Sequence, residues 1–158
     1  MALFVHLAFE TDLKSILKNG ISLSKELRCV YAVPVGPNFF VSHQWLRELK
    51  RRKNGNIVGV YFRVGDDERV FAGRFNGEHV EMTAVQASGL IANGELGFEV
   101  MIQRKIASNE IHRMKHLPQG LGWRYYPESH GRRPCGCPYC QRGEFGGRAI
   151  REKNESED

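Results

Sequence analysis

Hydrophobic and polar positions alternate most plainly late in the chain. Phe98, Val100 and Ile102 interleave with Glu99, Met101 and Gln103, a period of two. That period predicts a strand with the first set toward a core and Glu99 on the opposite face. Ile57–Val64 is the clearest strand by residue type. It is followed by the acidic turn Gly65-Asp66-Asp67-Glu68 and by an expected partner strand at Val70–Phe75. Shorter strands are predicted at Val5–Phe9 and at Cys29–Val33, the latter ended by Pro34.

Three helices fit between these strands. Leu13, Ile16 and Leu17 fall at i, i+3 and i+4, with Thr11 as the expected cap and Asn19-Gly20 as the stop. A second helix, capped by Asn38 or Ser42, turns Trp45, Leu46 and Leu49 inward and runs into Lys50-Arg51-Arg52-Lys53 before Asn54-Gly55-Asn56 closes it. For Trp45 this predicts a core role. A third covers Thr83–Ile91, with Ala84, Val85, Ala87 and Ala92 as apolar surface and Asn93-Gly94 at its end. From about His112 the periodicity weakens, and Gly, Pro, Arg and Tyr mark a loop-rich segment through Gly147.

A chain of 158 residues with 41% hydrophobic content is long enough to bury one core. No apolar run approaches the roughly 20 residues that span a bilayer. Met1-Ala2-Leu3-Phe4-Val5 lacks the basic flank and long apolar stretch of a secretory signal, so a cytoplasmic protein without membrane contact is expected.

The net charge of +5 is unevenly spread. Residues 1–100 hold 12 Lys/Arg against 11 Asp/Glu, whereas residues 101–151 hold 10 against 3. Basic charge concentrated in one third of the chain is the footprint expected for a polyanion partner, although a solvated basic surface has the same composition. The acidic tail, residues 152–158, is expected to be disordered. The expected organisation is therefore a core over residues 1–111, a basic Cys-containing segment over 112–151 packed on it, and that tail.

Three of the four cysteines stand within that segment. Cys137-Pro138-Tyr139-Cys140 has the spacing at which two thiolates grip one tetrahedral ion, and Cys135 adds a third. His130, His116 or Cys29 would complete a zinc site; free thiols in a rigid Pro/Gly loop are the alternative. Trp123, Arg124, Tyr126, Arg132, Arg133 and Arg142 interleave rings with guanidinium groups, a combination that stacks on unpaired bases while holding phosphates. A purely structural arm would use the same residues.

Glu99 stands out in another way. Glutamate is a poor strand former, and a carboxylate planted mid-strand on a non-core face is rarely placed there for stability. It belongs to a set of three separated pieces. Val5-His6 precedes Leu13-Lys14-Ser15-Ile16-Leu17-Lys18-Asn19-Gly20-Ile21; Val30-Tyr31-Ala32-Val33-Pro34 follows; Phe98-Glu99-Val100-Met101-Ile102 leads into Ile106-Ala107-Ser108-Asn109-Glu110-Ile111. In order and spacing these resemble the ADP-ribosyltransferase superfamily over residues 4–111.

The resemblance implies an α+β fold of split mixed or antiparallel sheets with flanking helices, and NAD as the substrate that donates ADP-ribose. It implies Glu99 as catalytic residue, His6 on a ribose hydroxyl and Tyr31 stacked on the nicotinamide. Arg28 would reach a pyrophosphate or the acceptor. Gly97 stands where arginine-modifying members carry a second glutamate or glutamine, which points away from arginine acceptors. Ala107-Ser108 replaces the usual proline, and the family's Ser-Thr-Ser motif does not occur. The implied acceptor is nucleic acid, DNA or RNA, in a toxin- or defence-type enzyme that an antitoxin-type partner would inhibit. A tRNA 2′-phosphotransferase-like reaction uses the same fold and donor. A non-catalytic, zinc-stabilised nucleic-acid-binding module is the alternative of a different class.

Overall fold

The computed structural model of the chain describes residues 1–91 and 96–120. They form an α+β structure with a seven-stranded sheet: β1 (Ala2–Phe9), β2 (Val30–Pro34), β3 (Ile57–Val64), β4 (Arg69–Arg74), β5 (His79–Thr83), β6 (Phe98–Ile102) and β7 (Ile111–His116). The order across the sheet is β5-β4-β6-β2-β1-β3-β7, and every neighbouring pair is antiparallel.

β1 and β3 pair along their whole length, from Ala2↔Val64 to Phe9↔Ile57. Their shared inner face stacks Phe4 on Phe62 with ring centroids 6.0 Å apart. All of β3 but Arg63 is buried, so it reads as a continuous apolar run. Across the middle of the sheet the pairing is thin. The β1–β2 ladder has two residue pairs, Phe4↔Pro34 and Val5↔Val33, extended by one bond from the Val35 N–H to the Leu3 carbonyl. Two half-sheets, β5-β4-β6-β2 and β1-β3-β7, therefore hinge on two residue pairs.

Side chains reinforce that seam. Arg104, just after β6, forks onto Glu68 before β4 (2.8 Å) and onto Glu110 before β7 (2.6 Å). Bidentate geometry of this kind gives direction as well as energy, and Arg104 holds the Glu110 carboxyl below the usual carboxylate range. Ile21 and Ile106 add an isolated antiparallel bridge.

Three helices of seven or eight residues and one single turn flank the sheet: α1 (Leu13–Asn19), the turn α2 (Phe39–Ser42), α3 (Leu46–Arg52) and α4 (Ala84–Ile91). Asn38 caps α2 by accepting the Val41 N–H at 3.3 Å. Thr11 does not cap α1. It lies inside a 3₁₀ turn, Glu10–Asp12, that leads into the helix, so its side chain is one residue too early. Of the stripe expected on α1, Ile16 is buried while Leu17 is 49% exposed. On α4, Ala84, Ala87 and Ile91 face the core and Val85 faces solvent.

The strand after the acidic turn forms, but not as the partner of β3. Both edges of β3 are taken, by β1 and β7, so β4 crosses to the other half-sheet and pairs with β5 and β6. Sequence periodicity also missed β5 and β7. β5 carries His79, Glu81 and Thr83 on an outer strand. β7 hides its apolar Ile111 and Met114 among His112, Arg113 and Lys115. The sheet thus runs on past residue 111. Leu117 is buried, and the Gln119 amide closes the start of β3 by accepting from Ile57 N–H (2.9 Å) and donating to its carbonyl (2.8 Å).

Gly20 ends α1 with φ +80°, its N–H on the Ile16 carbonyl, and a Cβ there would lie 2.1 Å from the Ile106 carbonyl oxygen. Gly20→Ala is expected to lower stability by at least about 2 kcal/mol, through left-handed strain and displacement of the Ile21–Ile106 bridge. Gly89, mid-helix in α4 with open space where a Cβ would go, should gain about 0.5–1 kcal/mol as alanine. Urea midpoints of the two variants check both signs together.

Candidate functional site

Past the Val5↔Val33 pair, β1 and β2 part, and a cleft of about 380 Å³ opens between them. His6 and Leu7 of β1 form one wall, and Tyr31 and Ala32 of β2 the other. Trp45, Leu49 and Arg52, on and beside α3, line it together with Phe75 after β4, and Glu99 of β6 contributes its carboxyl. Three residues assigned by resemblance (His6, Tyr31 and Glu99) come from three strands to one cavity.

Each is placed by sheet geometry. His6 Nδ1 lies 2.7 Å from the Tyr31 carbonyl, which faces the parting of the strands. A carbonyl only accepts, so Nδ1 carries the proton and donates. Burial lowers the imidazole's affinity for a second proton, outweighing the opposing pull of the Tyr31 carbonyl. The ring is thereby neutral at neutral pH, with Nε2 as a hydrogen-bond acceptor and no partner for it among the described residues.

Glu99 stands where the alternation of β6 puts it: Phe98, Val100 and Ile102 are buried, and Glu99 and Met101 lie on the other face. Its Oε1 is 3.1 Å from His79 Nε2. Burial raises the Glu99 carboxyl above the usual carboxylate range, while His79 and then Arg52 pull it back down. Tyr31 is pushed up to about 12, by burial first and then by Cys29, Glu99 and Glu26. Its phenol therefore remains a donor across the physiological range.

Trp45 packs against the core but also lines the cleft, which corrects the expectation of a core role alone. Its Nε1 donates to the Phe98 carbonyl at 2.7 Å, one residue before Glu99, and Phe75 meets its ring edge-on at 5.7 Å. With Tyr31, these rings give the cavity flat aromatic walls.

Arg28 is exposed in the loop before β2, at φ +53°, and does not line the cleft; Arg52 does. The Lys50–Lys53 run had pointed to a basic helix end, but nothing local showed which side that end faced. His79, Phe75 and Arg52 are the functional candidates that sequence reasoning missed. His79 reaches the site only through cross-strand register, which leaves no local signature.

A second cavity of about 320 Å³ lies by Val35, Phe39, Ser42 and Arg113. His43 is buried there, with Nδ1 on the Phe39 carbonyl and Nε2 on the Tyr61 hydroxyl, both at 2.7 Å.

The proposed zinc ligands Cys135, Cys137, Cys140 and His130 lie outside the described residues, as do Trp123, Arg124, Tyr126, Arg132, Arg133 and Arg142. The other two candidate ligands are far apart in the fold. Cys29 is buried beside Ser24 at the start of β2, and His116 ends β7 beside Glu10, with β1 and β3 between those strands. Among the described residues no group of three metal-ligating side chains occurs, and no helix is long and apolar enough to cross a membrane. No protein-family model, no curated protein and no solved structure matches the chain.

The lowered His6 imidazole sets a pH dependence of folding. The unfolded ring titrates near 6.5 and the folded one below that. Its contribution to stability is complete above pH 6.5 and is lost as pH falls, by at most about 1.4 kcal/mol per pH unit. Urea midpoints at pH 7.5, 6.5 and 5.5 should therefore fall more steeply for the wild type than for His6→Asn, whose amide can still donate to Tyr31. Parallel slopes would place the acid sensitivity in another group.

Proposed function

We propose that the protein is an NAD-consuming ADP-ribosyltransferase whose acceptor is a nucleic acid. One observation carries this reading: His6, Tyr31 and Glu99, separated by up to 93 positions in the chain, line a single cleft. The side of the sheet on which Glu99 lies also agrees with the role.

The residues present suit the nicotinamide–ribose end of NAD. A cleft of this size is in the range of small-molecule pockets and takes that end rather than the whole dinucleotide. Cleavage of the nicotinamide–ribose bond builds positive charge on the sugar, as glycoside hydrolysis does. Glu99 would stabilise that charge as a fixed carboxylate, in a site partly closed to water. His6, with a bare Nε2, accepts a hydrogen bond from a hydroxyl and cannot donate one from that nitrogen, which makes it a ribose-positioning group. Tyr31, Trp45 and Phe75 offer flat apolar surface to the nicotinamide ring, and Arg52 offers a cation to phosphate. Arg52 thus replaces Arg28 in that role. Nucleic acid as acceptor rests on the basic charge and ring–guanidinium interleaving of residues 101–151.

Labelled NAD incubated with the full chain and DNA, RNA or protein pools tests the reading. Release of nicotinamide and label in a nucleic-acid pool are expected. Glu99→Gln, which keeps shape and removes charge, should lower turnover about 10²–10³-fold. Turnover unchanged in Glu99→Gln, or label entering only protein, would overturn the assignment. Acid should also inactivate the enzyme at a higher pH than an ordinary glutamate would set, since burial raises the Glu99 carboxyl.

A further inference from the structure

The register of three strands places His79 of β5, Gly73 of β4 and Glu99 of β6 in one row, because Gly73 pairs with His79 on one side and with Glu99 on the other. Strands lie about 4.8 Å apart, so the backbones of His79 and Glu99 are separated by roughly 10 Å. Directly opposed residues share a face, and a side chain at the middle position would ordinarily stand between the outer two. Gly73 has none. A Cβ there would lie 2.3 Å from the Glu78 carbonyl oxygen, so the position is closed to larger residues. The imidazole and the carboxyl meet over the gap, with Nε2 3.1 Å from Oε1.

The contact is sheltered and directional. The His79 and Glu99 side chains keep only 16% and 18% of their exposure. His79 Nδ1 lies 3.2 Å from the Gly77 carbonyl, so a doubly protonated ring donates at both ends to groups that only accept. His79 is not part of the cleft wall; it stands behind Glu99. Around the carboxyl, β5 presents His79, α3 presents Arg52, β2 presents Tyr31 and β4 the bare Gly73, while two further carboxylates, Glu26 of the loop before β2 and the buried Glu48 of α3, line the same cleft.

We propose that His79 is the positioning residue of this site, committing Oε1 of Glu99 to its imidazole and leaving Oε2, which has no partner among the described residues, for the substrate. The inference rests on the reading of Glu99 as the reacting carboxylate. A carboxylate free to rotate would offer either oxygen in several directions, and small misplacements at a reacting centre are costly. His79 removes that freedom from behind, where it does not obstruct the cleft. It also opposes the effect of burial on the carboxyl, so the same contact that aims the group favours its charged form.

The test uses the full chain with His79→Ala and His79→Gln. In NAD cleavage, His79→Ala should lower kcat by up to about 100-fold with KM changed less than about threefold, and should move the acidic limb of the pH profile upward. His79→Gln retains an N–H donor and should restore most of kcat while the limb stays displaced. Wild-type kcat and limb in His79→Ala would overturn the proposal, as would a loss confined to KM. A second readout needs no turnover. The Glu99 side-chain carboxyl, ¹³C-labelled and assigned by its loss in Glu99→Gln, should titrate at higher pH in His79→Ala than in the wild type. An unchanged midpoint overturns the pairing even in an active enzyme. A raised midpoint in a protein that cleaves no NAD upholds the pairing and sinks the transferase reading alone.

Discussion

The hydrogen bond from His6 to the Tyr31 carbonyl is the constraint on which the site depends. A backbone carbonyl cannot be left buried without a donor, yet β1 and β2 stop pairing after two positions. If the ladder continued, the donor would be a strand N–H and there would be no cleft. Here a side chain takes its place, at 2.7 Å, and the strands part around it. The same bond fixes the imidazole's tautomer and leaves Nε2 open. One interaction therefore satisfies the backbone, holds the opening and creates a polar group with a defined role.

Enclosure then sorts the titratable groups. Burial lowers His6 and raises Glu99 and Tyr31. A cavity that did only this would contain neutral groups. Glu99 is treated differently, since His79 and Arg52 both favour its charged form. The result is a neutral acceptor, a phenol donor and a carboxyl group backed by His79 and Arg52, the three lining one space. Environments that drive titratable groups apart in this way are how sites assign distinct roles to similar side chains.

How much of this was legible in the sequence follows from the range of each signal. Strand β6 and the outward face of Glu99 came directly from a period of two, because Phe98, Val100 and Ile102 need burial whatever their partners. Ile57–Val64 was equally plain. The destination of β4 was not, since nothing in Val70–Phe75 records that both edges of β3 are occupied by β1 and β7. β5 and β7 were missed because an outer strand can be polar on most positions and still pair through its backbone. The site divides along the same line. Glu99 could be singled out by its place in the alternation and His6 and Tyr31 by the resemblance their flanking residues carry, whereas His79, Phe75 and Arg52 are brought in by register and helix direction. Gly73 shows the limit most clearly: its meaning is a side chain it lacks, opposite two residues far away in sequence.

That dependence on register places a mechanical demand on the edge of the sheet. β5 is the outermost strand, with Val80 more than half exposed, and edge strands are the least constrained part of a sheet. A slip of one residue there would send His79 to the other face and release Glu99. Several contacts oppose such a slip. Arg69 pairs with Glu81 across β4 and β5 at 3.1 Å. At the far end of β5, Ala84 N–H donates to the Glu68 carbonyl and Val85 N–H to that of Asp66, which ties the strand-to-helix corner to the acidic turn. Glu68 is itself held by Arg104, the residue that spans the seam between the half-sheets. Exposed ion pairs alone contribute little to stability. Their value here is geometric: the clamp that keeps the half-sheets in relation also fixes the corner from which β5 is hung, and so the distance from His79 to the carboxylate.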